Sequence, residues 1–234
     1  MSPEAAARRA RLLPPTGRCW VKVCCVTNAA ELQAAVDAGA QAVGLVGEMP
    51  SGPGVISDDA IRALAAAAPT GCAPILLTSR PTPEGIAEHV RATGVSAVQV
   101  CRPLNPDHAA RLRELLPPEV PAIHVVFVDG AEAESEALAL EPFADAVLLD
   151  SGSPSAAVPR LGGTGAVHDW ALSRRIRAAL ACPTILAGGL RPGNVGQAIR
   201  AVGPAWVDVC SGLRPGGALD LGLLADFMRE VQAR

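Results

Sequence analysis

Residues 20–46, WVKVCCVTNAAELQAAVDAGAQAVGLV, hold the unit from which the rest of the chain is built. A Val-rich run, Val21–Cys24, leads into Thr27-Asn28, a plausible helix cap with Glu31 in the acidic first turn, and then into an Ala-rich helix over Ala29–Ala38. A second apolar run follows at Ala42–Val46. The same alternation recurs downstream. Further strands are expected at Ile75–Thr78, Ala97–Cys101, Ile123–Val128, Ala146–Asp150, Thr184–Ala187 and Trp206–Cys210. Helices are expected at Asp58–Ala68, Pro83–Thr93, Asp107–Leu116, Ala131–Leu140, Trp170–Leu180, Asn194–Ala201 and Leu219–Gln232. Eight strand-then-helix units in series read as an α/β fold, a closed (β/α)8 TIM barrel. An open doubly wound sheet is the competing architecture. It would carry an early Gly-rich dinucleotide turn, and none follows the first strand.

Length and composition fit that fold. A chain of 234 residues with 50% hydrophobic residues fills one barrel, and no linker or composition break divides residues 20–234. Residues 1–19 read as a flexible N-terminal extension without an apolar signal segment. No apolar run approaches the roughly 20 residues of a membrane span. A net charge of −3 and 3% aromatics offer neither a basic field nor a stacking platform for nucleic acid. Seven cysteines without a C-x-x-C argue against both a disulfide framework and a zinc ribbon, so a reduced, cytoplasmic protein is expected. Lysine occurs once, at Lys22, two residues before Cys24.

Strand alternation sorts the candidate chemistry. Successive side chains take opposite faces, so Val21, Val23 and Cys25 share the helix-facing side while Lys22 and Cys24 point into the barrel. Gln99 and Cys101, Leu148 and Asp150, and Asp208 and Cys210 point inward on their own strands by the same rule. Cys24, Cys101, Asp150 and Cys210 then stand at the C-terminal ends of strands, the face where barrel enzymes build active sites. Cys25 reads as a small core hydrophobe. Lys22 and the nearby helix start both favour the thiolate of Cys24, the form useful as a base or nucleophile. The turns TILAGGLRPGNV (184–195) and WVDVCSGLRPGG (206–217) end the last two strands in Gly188-Gly189 and Ser211-Gly212. Glycine turns at that end of a barrel are a recurrent phosphate site, so a phosphorylated small molecule is the expected partner.

These motifs converge on a family. VKVCCVTNAAELQAAVDAGAQAVGLV resembles the K-(I/V)-C-G-(I/L)-T opening of phosphoribosylanthranilate isomerases. AVQV, AVLLDS, LGGTGAVHDW, LAGGLRPGNV and VDVCSG resemble later segments of that family in the right order, from about Val21 to Phe227. The resemblance implies an Amadori rearrangement of an N-ribosylated anthranilate 5-phosphate in tryptophan biosynthesis, an aldose–ketose isomerisation needing no cofactor and no metal. It implies Asp150 as the acid that opens the furanose ring and Cys24 as the base that takes the C2′ proton. Asp208 would hold sugar hydroxyls, and Gly188, Gly189, Ser211 and Gly212 the phosphate. Lys22 and Gln99 join the expected substrate-binding set.

Departures cluster around the aromatic half of the substrate. The family's S-P-R after the second strand reads Gly52-Pro53-Gly54, so the arginine that would meet the anthranilate carboxylate is Gly54. The glycine after the catalytic cysteine is Cys25, a histidine–glycine pair is Cys101-Arg102, the first serine of S-S-G is Cys210, and a glutamate is Arg214. Arg102 or Arg214 is expected to resupply a cation, since guanidinium binds carboxylate in bidentate fashion. A paralogue acting on another ribosylamine and a non-catalytic phosphosugar- or partner-binding barrel stand as alternatives, as does a metal site from Cys24, Cys101 and Cys210. Monomer and homodimer are both left open. His124 is read as satisfying a buried hydrogen bond, His89 and His108 as surface residues, His168 as without a role, and Trp170 as packing the start of its helix.

Overall fold

The computed structural model describes residues 2–15, 17–50, 52–151 and 169–233. Strands β1 (Trp20–Val23), β2 (Ala42–Val46), β3 (Ala73–Thr78), β4 (Ala97–Val100), β5 (Ala122–Phe127), β6 (Ala146–Asp150), β7 (Thr184–Leu186) and β8 (Trp206–Val209) pair in parallel in chain order. β8 returns to pair with β1, closing the barrel. Helix α1 (Pro3–Arg11) precedes β1. Helices α2 (Ala29–Asp37), α3 (Asp58–Ala67), α4 (Pro83–Thr93), α5 (Pro106–Leu115), α6 (Glu132–Leu140), α7 (Trp170–Ala179), α8 (Val195–Val202) and α9 (Leu221–Gln232) follow the strands in turn. Each barrel element lies within two residues of its expected place.

The helix starts show why. Asn28 Oδ1 accepts the Glu31 N–H at 3.0 Å, and Glu31 Oε2 accepts the Thr27 N–H at 3.0 Å, a reciprocal closure of two donors left free by the first turn. Thr82 and Asn105 cap α4 and α5 ahead of a proline whose missing N–H is not needed there. The strands bury two layers. Ile75, Leu77, Ile123, Phe127 and Leu148 fill the barrel interior, while Val21, Val23, Leu45, Leu76 and Val98 pack under the helices.

Within the N-terminal extension, helix α1 lies against the N-terminal end of the barrel. Arg8 Nε bonds both carboxylate oxygens of Asp145, at 2.9 and 3.0 Å, with the pair almost fully buried. Trp206 donates its Nε1–H to the Leu12 carbonyl at 2.7 Å and meets Trp20 edge-on, ring centres 5.1 Å apart. These contacts dock α1 and the Leu12 backbone onto the N-terminal end of the barrel. Among the described residues no helix is long and apolar enough to cross a membrane.

Candidate active site

At the C-terminal ends of the strands lies a cavity of ≈ 610 Å³, its open mouth included. Of the residues singled out from the sequence, Cys24, Gln99, Asp150, Gly188, Gly189, Asp208 and Ser211 line it together, and Cys25 and Cys210 join them. Residues from β1, β4, β6, β7 and β8 thus converge on one space.

Beneath the cavity is Lys22, fully buried and paired across the sheet with Asp208. Its Nζ donates to Gln99 Oε1 at 2.6 Å and Asp208 Oδ2 at 2.7 Å, and stands 3.9 Å from Cys24 Sγ. Burial opposes the ammonium, but Asp208 and then Cys24 outweigh it and hold Lys22 above the ordinary lysine range. Lys22 is not among the residues that line the cavity and forms a charged floor beneath them. Gly44 on β2 makes room for it: a Cβ there would stand 2.8 Å from Cys24 Sγ and 3.1 Å from Lys22 Cε. A glycine inside a strand signals such a close approach.

Two carboxylates, Asp150 and Asp208, face the cavity in different surroundings. Asp150 is pushed up to about 6, first by desolvation and also by Asp208, against the Ser151 N–H that donates to its Oδ1 at 2.6 Å. Asp208 is nine-tenths buried; Oδ2 is taken by Lys22, while Oδ1 has no partner among the described residues. A buried oxygen without a donor is costly unless a ligand supplies one. The pair offers one carboxyl that keeps a protonated fraction near neutrality, Asp150, and one oxygen, Asp208 Oδ1, open to a donor.

Cys25 departs from its expected place. The strand ends at Val23, and Cys25 takes a left-handed backbone with φ +62°, so the two-residue alternation stops there. Its side chain turns from the helix layer to the inner cluster, with its sulfur 3.8 Å from that of Cys24 and 2.8 Å from that of Cys210. Within this pair the Cys210 thiol is lowered, chiefly by the hydrogen bond from Cys25, which is itself raised.

After β7, the neighbour of β8, Gly188 and Gly189 both have positive φ, at 82° and 61°. Asn194 closes the turn, accepting the Arg191 N–H at 2.8 Å and donating to the Gly189 carbonyl at 2.9 Å. The turn after β8 is a single 3-10 turn, Ser211–Leu213. Gly212 sits behind the rim rather than on it, because a Cβ there would collide with the Leu190 carbonyl.

Neither arginine expected to resupply a cation lines the cavity. Arg214 is buried and forked onto Glu31 at 2.8 and 3.1 Å, with its Nη2 3.3 Å from the Cys24 carbonyl, so it braces the β1 end from behind. The sequence showed Glu31 only as an acidic first-turn residue. Arg102 is exposed, with Nε donating to the Ser79 carbonyl at 3.2 Å.

His89 is not a surface residue. It is buried between Thr78 Oγ1 at 3.1 Å and Asp58 Oδ1 at 2.9 Å, on the inward face of α4, and ties that helix to β3 and α3. His124 is buried with Nε2 unpartnered among the described residues, and burial, with Arg113, lowers it to about 4. His108 is exposed at the start of α5. Cys101 is a buried thiol pushed up to about 12 by desolvation, and no group of three or more His, Cys, Asp or Glu among the described residues could hold a metal ion. His168 and most of the loop SGSPSAAVPRLGGTG lie outside the described residues.

Comparison with known proteins joins this geometry to a family. Residues 21–230 match the family model described as N-(5′-phosphoribosyl)anthranilate isomerase. The chain is 36% identical over 214 residues to the isomerase of that name from Methanocella arvoryzae, covering 91% of this chain and 97% of the relative. It is 39% identical to the one from Natronomonas pharaonis, covering 82% and 88%. Among solved structures, the phosphoribosylanthranilate isomerase of Thermotoga maritima superposes with a TM-score of 0.79 at 28% identity, covering 92% of this chain and all of that one. Another, in complex with reduced 1-(o-carboxyphenylamino)-1-deoxyribulose 5-phosphate, has a TM-score of 0.76 at 26% identity, with the same coverage.

Proposed function

The chain belongs to the N-(5′-phosphoribosyl)anthranilate isomerase family, and from that premise we propose that it carries out this isomerisation in the cavity above Lys22. The product is the aminodeoxyribulose phosphate, and the step belongs to tryptophan biosynthesis. The observation that carries the reading is the meeting in one cavity of a carboxyl raised by burial, Asp150, a thiol, Cys24, and the turns after β7 and β8.

Asp150 gives its proton to the furanose ring oxygen, the C1′–O bond breaks, and the open-chain iminium forms. A carboxyl raised to about 6 suits this role, since it keeps a population of protonated acid near neutrality while remaining a willing donor. Cys24 then removes the C2′ proton, giving the enolamine, which becomes the ketone by losing the C2′ hydroxyl proton and gaining one at C1′. The Lys22 ammonium, 3.9 Å from Sγ, is fixed where it attracts negative charge on that sulfur. The open Oδ1 of Asp208 suits a sugar hydroxyl. Backbone N–H groups of Gly188, Gly189 and Ser211 suit the phosphate.

The test is turnover of N-(5′-phosphoribosyl)anthranilate by the purified chain. Wild type should convert it, and Cys24→Ala and Asp150→Asn should each lose about a hundredfold or more in kcat, the usual weight of a positioned proton-transfer group. Wild-type inactivity, or normal kcat in either variant, would overturn the reading.

A further inference from the structure

Two of the thiols at the cavity have no task in proton transfer. Cys25 and Cys210 leave the ends of the neighbouring strands β1 and β8, which run in register up to Val23 opposite Val209. Their sulfurs are 2.8 Å apart, and both residues line the cavity. Closing to the roughly 2.05 Å of a disulfide needs a movement of less than about 1 Å. The left-handed backbone of Cys25 is what swings its sulfur out of the helix layer and onto Cys210. Cys210 is half-buried, so a small oxidant entering the cavity has access to it.

We propose that Cys25 and Cys210 form a dithiol/disulfide redox site on the wall of the cavity, oxidised by peroxide and restored by thiols. The Cys210 thiolate attacks one peroxide oxygen; the O–O bond breaks, hydroxide leaves and takes a proton to become water, and Cys210 is left as the sulfenic acid. The Cys25 sulfur then attacks the Cys210 sulfur, its proton leaves with the displaced hydroxide as a second water, and the S–S bond forms. Two thiols thus lose two hydrogens, and one hydrogen peroxide becomes two waters. Cys24 is the competing partner, but its sulfur lies farther from Cys25, at 3.8 Å. The site does not depend on the reaction assigned above, since its readout is a covalent bond.

The test treats the reduced full chain with a few equivalents of hydrogen peroxide, alkylates remaining thiols, and maps the unreduced tryptic digest by mass. Two of the seven thiols should escape alkylation, and the peptides holding Cys25 and Cys210 should appear joined and separate again on dithiothreitol treatment. Cys24 and Cys25 share one tryptic peptide, so Cys24→Ala decides between them: the link should persist in it. The link should vanish in Cys210→Ser and in Cys25→Gly, whose new residue suits the left-handed backbone. A cross-link lost in Cys24→Ala, or thiols oxidised singly with no cross-link, would overturn the proposal.

Discussion

The rim formed by the turns after β7 and β8 is made of backbone, whereas the rim formed by the ends of β1 and the β2 loop is made of side chains packed on one another. On the first, Gly188 and Gly189 hold positive φ angles without a side chain, and Asn194 ties the turn to α8. On the second, Cys25 occupies a left-handed position where the resemblance led one to expect glycine, and Gly54 stands where it led one to expect arginine. These two departures meet in space. A Cβ on residue 54 would lie 2.6 Å from Cys25 Cβ, and Gly54 itself has φ +79°. The Cys25 side chain fills the volume that a residue-54 side chain would need, so two positions distant in sequence are coupled by packing.

The contrast can be broken most severely where proton transfer and packing meet. Lys22→Met should leave Asp208 buried beside no counter-charge, and removing one partner of such a pair costs about 3–5 kcal/mol. Denaturant titration would read this, and an unchanged midpoint would mean that Lys22 is not the floor described. On the backbone rim, Gly212→Ala should force the β8 turn off the Leu190 carbonyl, with loss of about 1–3 kcal/mol of stability and a raised KM. Inorganic phosphate should compete with substrate in the wild type and bind more weakly in that variant. Phosphate indifference in both would place the anion elsewhere.

A smaller effect follows from Asp150. Its folded-state pKa, about 6, lies above the ordinary carboxylate value of about 3.9, so the folded chain holds a proton that the unfolded chain releases between those values. Stability therefore falls as pH rises through that window. Asp150→Asn removes the term and should be more stable than wild type above pH 6, by at most about 3 kcal/mol, with the gain gone below about pH 4. Thermal melts at pH 4 and pH 7 check it, and a variant less stable at both would show that the carboxyl is not strained by burial. Smallest of all, Arg102→Ala should change kcat/KM by less than about threefold, because its guanidinium holds the Ser79 carbonyl rather than facing the cavity. A large rise in KM would return Arg102 to the substrate.

What was legible in the sequence follows the same division. Strand alternation placed Cys24, Gln99, Asp150 and Asp208 correctly because those residues belong to, or directly follow, regular strands whose period is two. It failed at Cys25, one residue further on, where the backbone turns left-handed and periodicity no longer applies. The glycine turns were legible because glycine has few other reasons to be doubled at a strand end. Partners that lie far apart in the chain were not. Nothing local marks Glu31 as the anchor of Arg214, Asp58 and Thr78 as the holders of His89, or Asp145 as the residue that docks α1. Charge alone made the arginines look like substrate ligands, and only the fold shows that a carboxylate already holds Arg214.

The packing coupling at the β1–β2 rim is tested most directly by a double-mutant cycle of Cys25→Gly and Gly54→Arg, read by denaturant unfolding. In the wild-type background Gly54→Arg should destabilise by about 2 kcal/mol or more, from the clash with Cys25 Cβ together with the left-handed backbone. In the Cys25→Gly background the 2.6 Å contact with Cβ is gone, while the approaches to the residue-25 Cα at 3.0 Å and carbonyl oxygen at 3.3 Å and the left-handed backbone remain, so the cost should fall by about 1 kcal/mol, a coupling typical of residues in contact. Equal cost of Gly54→Arg in both backgrounds would show that the two positions are not coupled, and would contradict the account.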